Sequence, residues 1–268
     1  MREGKGPEVA LSKRQRQCLD IMGIPVWSLR TPPAPRAAGI SRAGTVSDPR
    51  PALPAEGGPD GEAGAVSTLG WEALEARVAA CTLCELHRTR TRTVFGVGNR
   101  SAEWMIIGEA PGADEDRQGE PFVGRAGQLL NEMLLAVGLK REAVYIANIL
   151  KCRPPSNRDP RPEEVASCEP YLQRQVSLVA PRLILAVGRV AAQNLLKTDT
   201  PIGAMRGRQY HYGEARIPVV VTYHPAYLLR SPREKRKAWE DLKFAMQVYE
   251  ARQKACRKAC RETQGEGT

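Results

Sequence analysis

The sequence predicts an α/β protein, a three-layer α/β/α sandwich with a central four-stranded, mostly parallel sheet. Two observations carry that reading: four short apolar runs rich in β-branched residues, and helix-patterned stretches that alternate with them. A third is the length, since 268 residues fit one domain of moderate size with appendages. The first strand is WMIIG at 104–108, followed by a glycine-rich loop and the helical stretch GRAGQLLNEMLLAVG at 124–138. The second is AVYIANIL at 143–150. A basic loop then leads to PEEVASCEPYLQRQVSLV at 162–179, with Pro162 in the first turn, where a missing N–H costs nothing. RLILAVG at 182–188 is the third strand and GRVAAQNLLK its helix; IPVVVTY at 217–223 is the fourth, followed by a long basic helix from Ser231 to Arg252. Right-handed crossovers place helices on both faces, and in such a sheet ligands bind beyond the carboxyl ends of the strands.

The ends of the chain read differently. Residues 1–66 hold 9 of the 24 Gly and 9 of the 21 Pro, with no apolar period, so they are expected to be a disordered extension. The short apolar patch at 18–29, with Cys18, is expected to be incidental. Residues 67–253 form the expected domain and 254–268 a basic, fraying tail. Forty Lys and Arg against thirty Asp and Glu leave a net charge of +10, which points to a polyanionic partner, nucleic acid first. No run approaches the ~18 apolar residues of a membrane span, and no secretory block opens the chain, so no membrane partner and an intracellular location are expected. In that compartment seven cysteines argue for metal or redox chemistry rather than disulfides.

The chemical residues cluster after the strands. Five glycines (108, 112, 119, 124 and 127) and an isolated Phe122 mark the loop GEAPGADEDRQGEPFVG as a ligand site. Asn148 ends the second strand, before the basic, proline-stiffened KCRPPSNRDPRP. His224 follows the fourth, whereas His87 and His211 have no such placement and read as surface residues. Cys81 and Cys84 make a C-x2-C pair, Cys152 follows the second strand, and Cys168 lies sixteen positions further on. Four thiolates suit either a tetrahedral zinc or a [4Fe-4S] cluster. Spacing alone does not choose between them; without further context zinc is favoured, because C-x2-C is common in zinc sites and the wide gap to the second pair matches no ferredoxin pattern. Cys256 and Cys260, at i, i+4, are too few to hold a metal and stay unassigned.

Taken together, the C-x2-C pair, GEAPGADED with GEPFVG, NILKCRPPSNRDP with the cysteine at 168, and HPAYLLR resemble the family 4 uracil-DNA glycosylases, the iron-sulfur branch of the uracil-DNA glycosylase superfamily. The resemblance covers residues 69–250. It implies a [4Fe-4S] cluster on Cys81, Cys84, Cys152 and Cys168, reversing the preference for zinc. It implies that Phe122 stacks on a flipped base, that Asn148 binds its pairing edge, that Glu109 and Ala110 surround base and sugar, that His224 lies against uracil O2, and that Glu115 assists catalysis. Within the superfamily the best-known branch carries an aspartate where this chain has Ala110 and a bulky aromatic where it has Gly112.

The implied activity is hydrolysis of the uracil N-glycosidic bond in single- or double-stranded DNA, leaving an abasic site for base excision repair, by a cytoplasmic, nucleoid-associated monomer. The residue types suit it. An amide accepts from uracil N3–H and donates to O4, whereas cytosine presents the opposite pattern. A histidine donates to O2 as charge gathers there, and a carboxylate stabilises the sugar cation or orients water. The cluster is read as a staple for a phosphate-binding loop that holds Lys151, Arg153, Arg158 and Arg161. Arg230, Arg233, Lys235, Arg236 and Lys237 form a second basic edge, beside which Tyr227, Leu228 and Leu229 are candidates to wedge the gap left by the flipped base. Two other readings use the same residues: a non-catalytic zinc module that binds nucleic acid, and a metal-dependent phosphoesterase built on the carboxylates of GEAPGADED.

Overall fold

A computed structural model describes residues 66–265, with side-chain environments through Cys256. The expected disorder of the extension, the 18–29 patch and Cys18 lie outside the described residues, as does the side chain of Cys260. The strands are β1 (Val97–Gly98), β2 (Trp104–Gly108), β3 (Tyr145–Asn148), β4 (Leu183–Val187), β5 (Gln209–Tyr212) and β6 (Ile217–Thr222), in the sheet order β1-β3-β2-β4-β6-β5. The four expected strands are the central ones and run parallel. The sheet nonetheless has six strands, which corrects the expected four. β1 and β5 pair antiparallel along its two edges. Neither edge strand has a β-branched apolar run: β1 is two residues long, and β5 reads QYHY with its side chains alternating between exposed and half-buried.

The helices are α1 (Trp71–Ala79), α2 (Ala113–Gln118), α3 (Arg125–Ala136), α4 (Pro162–Val179), α5 (Arg189–Leu196), α6 (Ile202–Met205), α7 (Pro225–Arg230) and α8 (Lys235–Gly265). Alternate strand residues separate them into two layers, because successive side chains point to opposite faces of a sheet. Met105, Ile107, Ile184, Ala186, Val219 and Val221 pack on α4 and α5; Trp104, Ile106, Leu185, Val187 and Val220 pack on α3, α7 and α8. The three-layer reading therefore stands. α1 packs on α4 in a smaller cluster of Val66, Leu74, Val78, Phe95 and Tyr171.

Val66 is 3% exposed and belongs to the packed body, and α8 continues past residue 253 to Gly265. Val66→Ala should therefore lower stability by about 2 kcal/mol, the transfer cost of two buried methyl groups, and a shift in the urea midpoint at unchanged slope would measure it.

Candidate active site

The register of the parallel strands brings four loops to one end of the sheet. Gly108 pairs with Asn148, and the ladder runs on past the strand ends as Ile149 N–H donates to the Gly108 carbonyl (2.9 Å) and Leu150 N–H to that of Glu109 (3.1 Å). Glu109 and Asn148 are thereby held side by side. They line one pocket with Ala110, Glu115, Phe122, His224, Tyr227 and Arg230. The structure thus gathers every residue that the sequence proposes for catalysis and base binding.

Asn148 is 2% exposed, and its Oδ1 is buried without a hydrogen-bond partner among the described residues. Leaving such an acceptor unpaired costs about 1–3 kcal/mol, so an amide held this way at a pocket wall points to a ligand that pairs with it. Phe122 lies beside it with a backbone φ of 55°, unusual for an aromatic residue. Arg141 holds that turn, donating from Nη2 to the Pro121 carbonyl (2.6 Å) and from Nη1 to that of Phe122 (3.3 Å). Gly127 admits it, since a Cβ there would stand 1.7 Å from the Phe122 oxygen. Sequence reasoning missed Arg141, which stands outside the motifs.

His224 caps the start of α7 and stacks near the Phe122 ring, with centroids 5.5 Å apart. Its Nδ1 accepts from Ala226 N–H (3.1 Å). Burial first, and then the charge of Arg230, push its pKa down to about 4 against the opposing pull of Glu115. The ring is neutral at physiological pH, and with Nδ1 accepting, its proton sits on Nε2.

The two carboxylates differ in kind. Glu115 is bound by backbone: Oε2 accepts from Gly112 N–H (3.1 Å), and Oε1 from Val123 (3.0 Å) and Gly124 (3.2 Å). It closes the glycine loop on itself. Glu109 has no such bonds among the described residues, and burial, reinforced by the negative charge of Asp159 and opposed by Arg189, pushes it up to about 7.

Several residues expected to meet DNA are engaged elsewhere. Leu228 is fully buried against α3 and α8, which removes it as a wedge; Tyr227, 36% exposed at the pocket rim, is left in that place. Lys151 is 1% exposed and cannot reach a phosphate; its Nζ donates to the Asn148 carbonyl (2.8 Å) and to Gln175 Oε1 (2.6 Å). Arg158 forms a bidentate pair with buried Glu164 (2.9 and 2.5 Å) and still lines the pocket. Arg153 donates to Asn157 Oδ1 at the surface, and Arg230 is exposed at the pocket mouth.

Cys81, Cys84, Cys152 and Cys168 line a single small recess on the far side of Lys151, with Arg90, His87 and Tyr171. Arg90 Nη1 donates to Cys152 Sγ (3.2 Å) and to the Cys81 carbonyl (2.8 Å). The buried Tyr171 hydroxyl lies against the Cys81 thiol and has no nitrogen or oxygen partner among the described residues. His87 corrects its surface reading: it is half-buried, with Nδ1 2.8 Å from the Cys84 carbonyl oxygen. His211 is exposed on β5 as expected. Burial pushes the Cys168 thiol up to about 12, so it ionises only in the company of a cationic group. Among the described residues no three His, Cys, Asp or Glu side chains are grouped to hold a metal ion, and no helix is long and apolar enough to cross a membrane.

Residues 95–243 match the family model of the uracil DNA glycosylase superfamily. A type-4 uracil-DNA glycosylase of Archaeoglobus fulgidus is 49% identical over 173 residues, covering 62% of this chain and 86% of that one. One from Thermotoga maritima is 44% identical over 163 residues, covering 60% and 83%. A type-5 uracil-DNA glycosylase of Pyrobaculum aerophilum is more distant, 33% identical over 150 residues and covering 49% and 64%.

A Cβ on Gly108 would stand 2.5 Å from Asn148 Oδ1 and 2.7 Å from the Phe122 ring. Gly108→Ala should displace both side chains at a cost of about 1–3 kcal/mol in stability. Calorimetric titration should then show free uracil binding at least ~10-fold more weakly, the equivalent of one lost hydrogen bond.

Proposed function

Because the chain belongs to the uracil DNA glycosylase superfamily, in its type-4 branch, we propose that the pocket receives a uracil flipped from DNA and that the enzyme hydrolyses its N-glycosidic bond. The observation that carries this reading is the buried, unpartnered amide of Asn148 beside Phe122. Flipping costs a few kcal/mol. Stacking on Phe122 returns ~1–3 kcal/mol whatever the base, and pairing with Asn148 returns its share only for uracil, whose N3–H donates and whose O4 accepts.

The chemistry falls to His224 and Glu109. As the C1′–N1 bond stretches, charge moves onto uracil O2, where the neutral imidazole, its proton on Nε2, donates a hydrogen bond. Such a preorganised donor is worth about 10² to 10³ in rate. Glu109 is the free carboxylate of the pocket and is suited to orient water and stabilise the sugar cation. Glu115 positions the loop, because its oxygens already serve three amides. Ala110 lines the wall and contributes no ionisable group. The product is an abasic site with an intact backbone.

Exposed Arg230 at the pocket mouth is placed to meet a phosphate, half-buried Arg153 belongs to the loop after β3, and Tyr227 is placed to fill the gap in the stack. On this reading the enzyme acts as a monomer. Its setting is the cytoplasm, on nucleoid DNA of either strandedness.

Cys81, Cys84, Cys152 and Cys168 would hold a [4Fe-4S] cluster. The donor set supports this: four cysteines share one recess, and Arg90 already donates to one sulfur. Bound, the cluster would supply a covalent tie between the segment after α1, the loop after β3 and α4.

Uracil-containing oligonucleotides, single-stranded or paired, should break at the uracil on alkali treatment after incubation with the protein, in excess EDTA as well. His224→Ala should lower the single-turnover rate ~10²-fold or more with nearly unchanged DNA affinity. Intact oligonucleotides with cluster-loaded protein would refute the reading.

Glu109 must be ionised to act, and its pKa is raised, so kcat/KM should increase with pH through about 7. His224 titrates near 4, too low to shape that limb. Glu109→Gln should be slow and flat across pH 6–8; a rising limb that persists in this variant would assign the ionisation elsewhere.

A further inference from the structure

Arg206 stands on the connection between α6 and β5, apart from the sequence motifs and from the lining of the base pocket. It is nevertheless nearly buried: its side chain is 12% exposed and that of its partner Asp241, on α8, 2%. Arg206 Nε donates to Asp241 Oδ2 (2.7 Å) and Nη2 to the Lys237 carbonyl (2.6 Å), so the guanidinium plane is fixed on α8. Thr222, the last residue of β6, donates to the same Oδ2 (2.8 Å). A buried ion pair brings little stability that apolar packing would not, so this one calls for another account. The face of the plane supplies it. Arg206 Cζ lies 4.5 Å from the centroid of the Tyr223 ring, and that ring meets the ring of Tyr227, with centroids 5.1 Å apart. Tyr227 is the exposed aromatic at the pocket rim.

On the uracil reading of the pocket, we propose that Arg206 is a positioning residue for base flipping: it clamps Tyr223, and through that ring it holds Tyr227 where a flipped uracil leaves its gap in a duplex. A loose, exposed tyrosine loses rotamer freedom on entering a base stack, and one already held does not. The demand is greatest in paired DNA. A single strand has no opposite base that closes the gap, so it draws less on Tyr227.

The test uses the full-length protein and uracil oligonucleotides, paired opposite guanine or single-stranded. Arg206→Lys keeps a cation beside Asp241 and loses the planar face. Its single-turnover excision should be about tenfold slower on the duplex, the worth of one aromatic contact, and within about twofold of wild type on the single strand. Tyr223→Leu should behave alike, and Tyr223→Phe, which keeps the ring, should restore the duplex rate. Tyr227→Ala should lower the duplex rate as much, and adding Arg206→Lys to it should lower the rate no further. In a duplex carrying 2-aminopurine beside an uncleavable 2′-fluorinated deoxyuridine, saturating Arg206→Lys should raise the fluorescence less than wild type does. Equal losses on both substrates, or full additivity with Tyr227→Ala, would overturn the proposal. Should Arg206→Lys fail to fold, Tyr223→Leu against Tyr223→Phe carries the test, and equal duplex rates in those two would refute it. A wild-type protein that cuts neither substrate would overturn the reading of the pocket and this proposal with it.

Discussion

A side chain of any size on Gly108 would collide with Asn148 and Phe122, so the close approach of these three residues is the constraint on which the pocket is built. It arises from the sheet. Parallel pairing puts Gly108 opposite Asn148, and two further backbone hydrogen bonds carry that pairing beyond the strands. The Asn148 amide therefore stands at the end of a hydrogen-bonded parallel ladder, and the loops contribute what surrounds it. Phe122 needs more support, because its backbone lies in the left-handed region; Arg141 from the turn before β3 and the close packing of α3 at Gly127 supply it.

Three groups that the chemistry names together are separated by what they already bind. Glu115 gives its oxygens to backbone amides, Arg158 gives its fork to Glu164, and Lys151 gives its ammonium to Asn148 and Gln175. Each is a strut. The groups left free are Glu109, the Nε2 of His224, Arg230 and the Asn148 amide, and these are the ones a substrate can meet. Cations engaged this way lend the phosphates less than the net charge of +10 implies.

The central strands were legible because buried parallel strands read as short continuous apolar runs, and the site was legible because such sheets present ligands at known ends. The edge strands were not, since β5 is polar and paired on one side only. Leu228 and Leu229 illustrate a second limit. Adjacent leucines on a helix face different ways, and composition does not say that the first meets α3 and α8 while the second stays half-buried. Lys151 illustrates a third: a lysine in a basic loop reads as solvated, and only the fold shows that its neighbours are a carbonyl, an amide and two sulfurs.

On the proposed reading of the pocket, selectivity for uracil follows from the same burial. An open, hydrated asparagine would exchange water for either pyrimidine at little difference in energy. In a dry wall the amide oxygen carries its unpaired cost, about 1–3 kcal/mol, until a donor arrives. Uracil N3–H removes that cost. Cytosine brings an acceptor to the same place, so the cost remains and a repulsive contact adds to it, which is how sites built to hydrogen-bond reach discriminations of ~10⁴ or more. Phe122 and the apolar floor of the strands keep water from the amide, so the packing that holds the sheet together is also what makes one polar atom decisive.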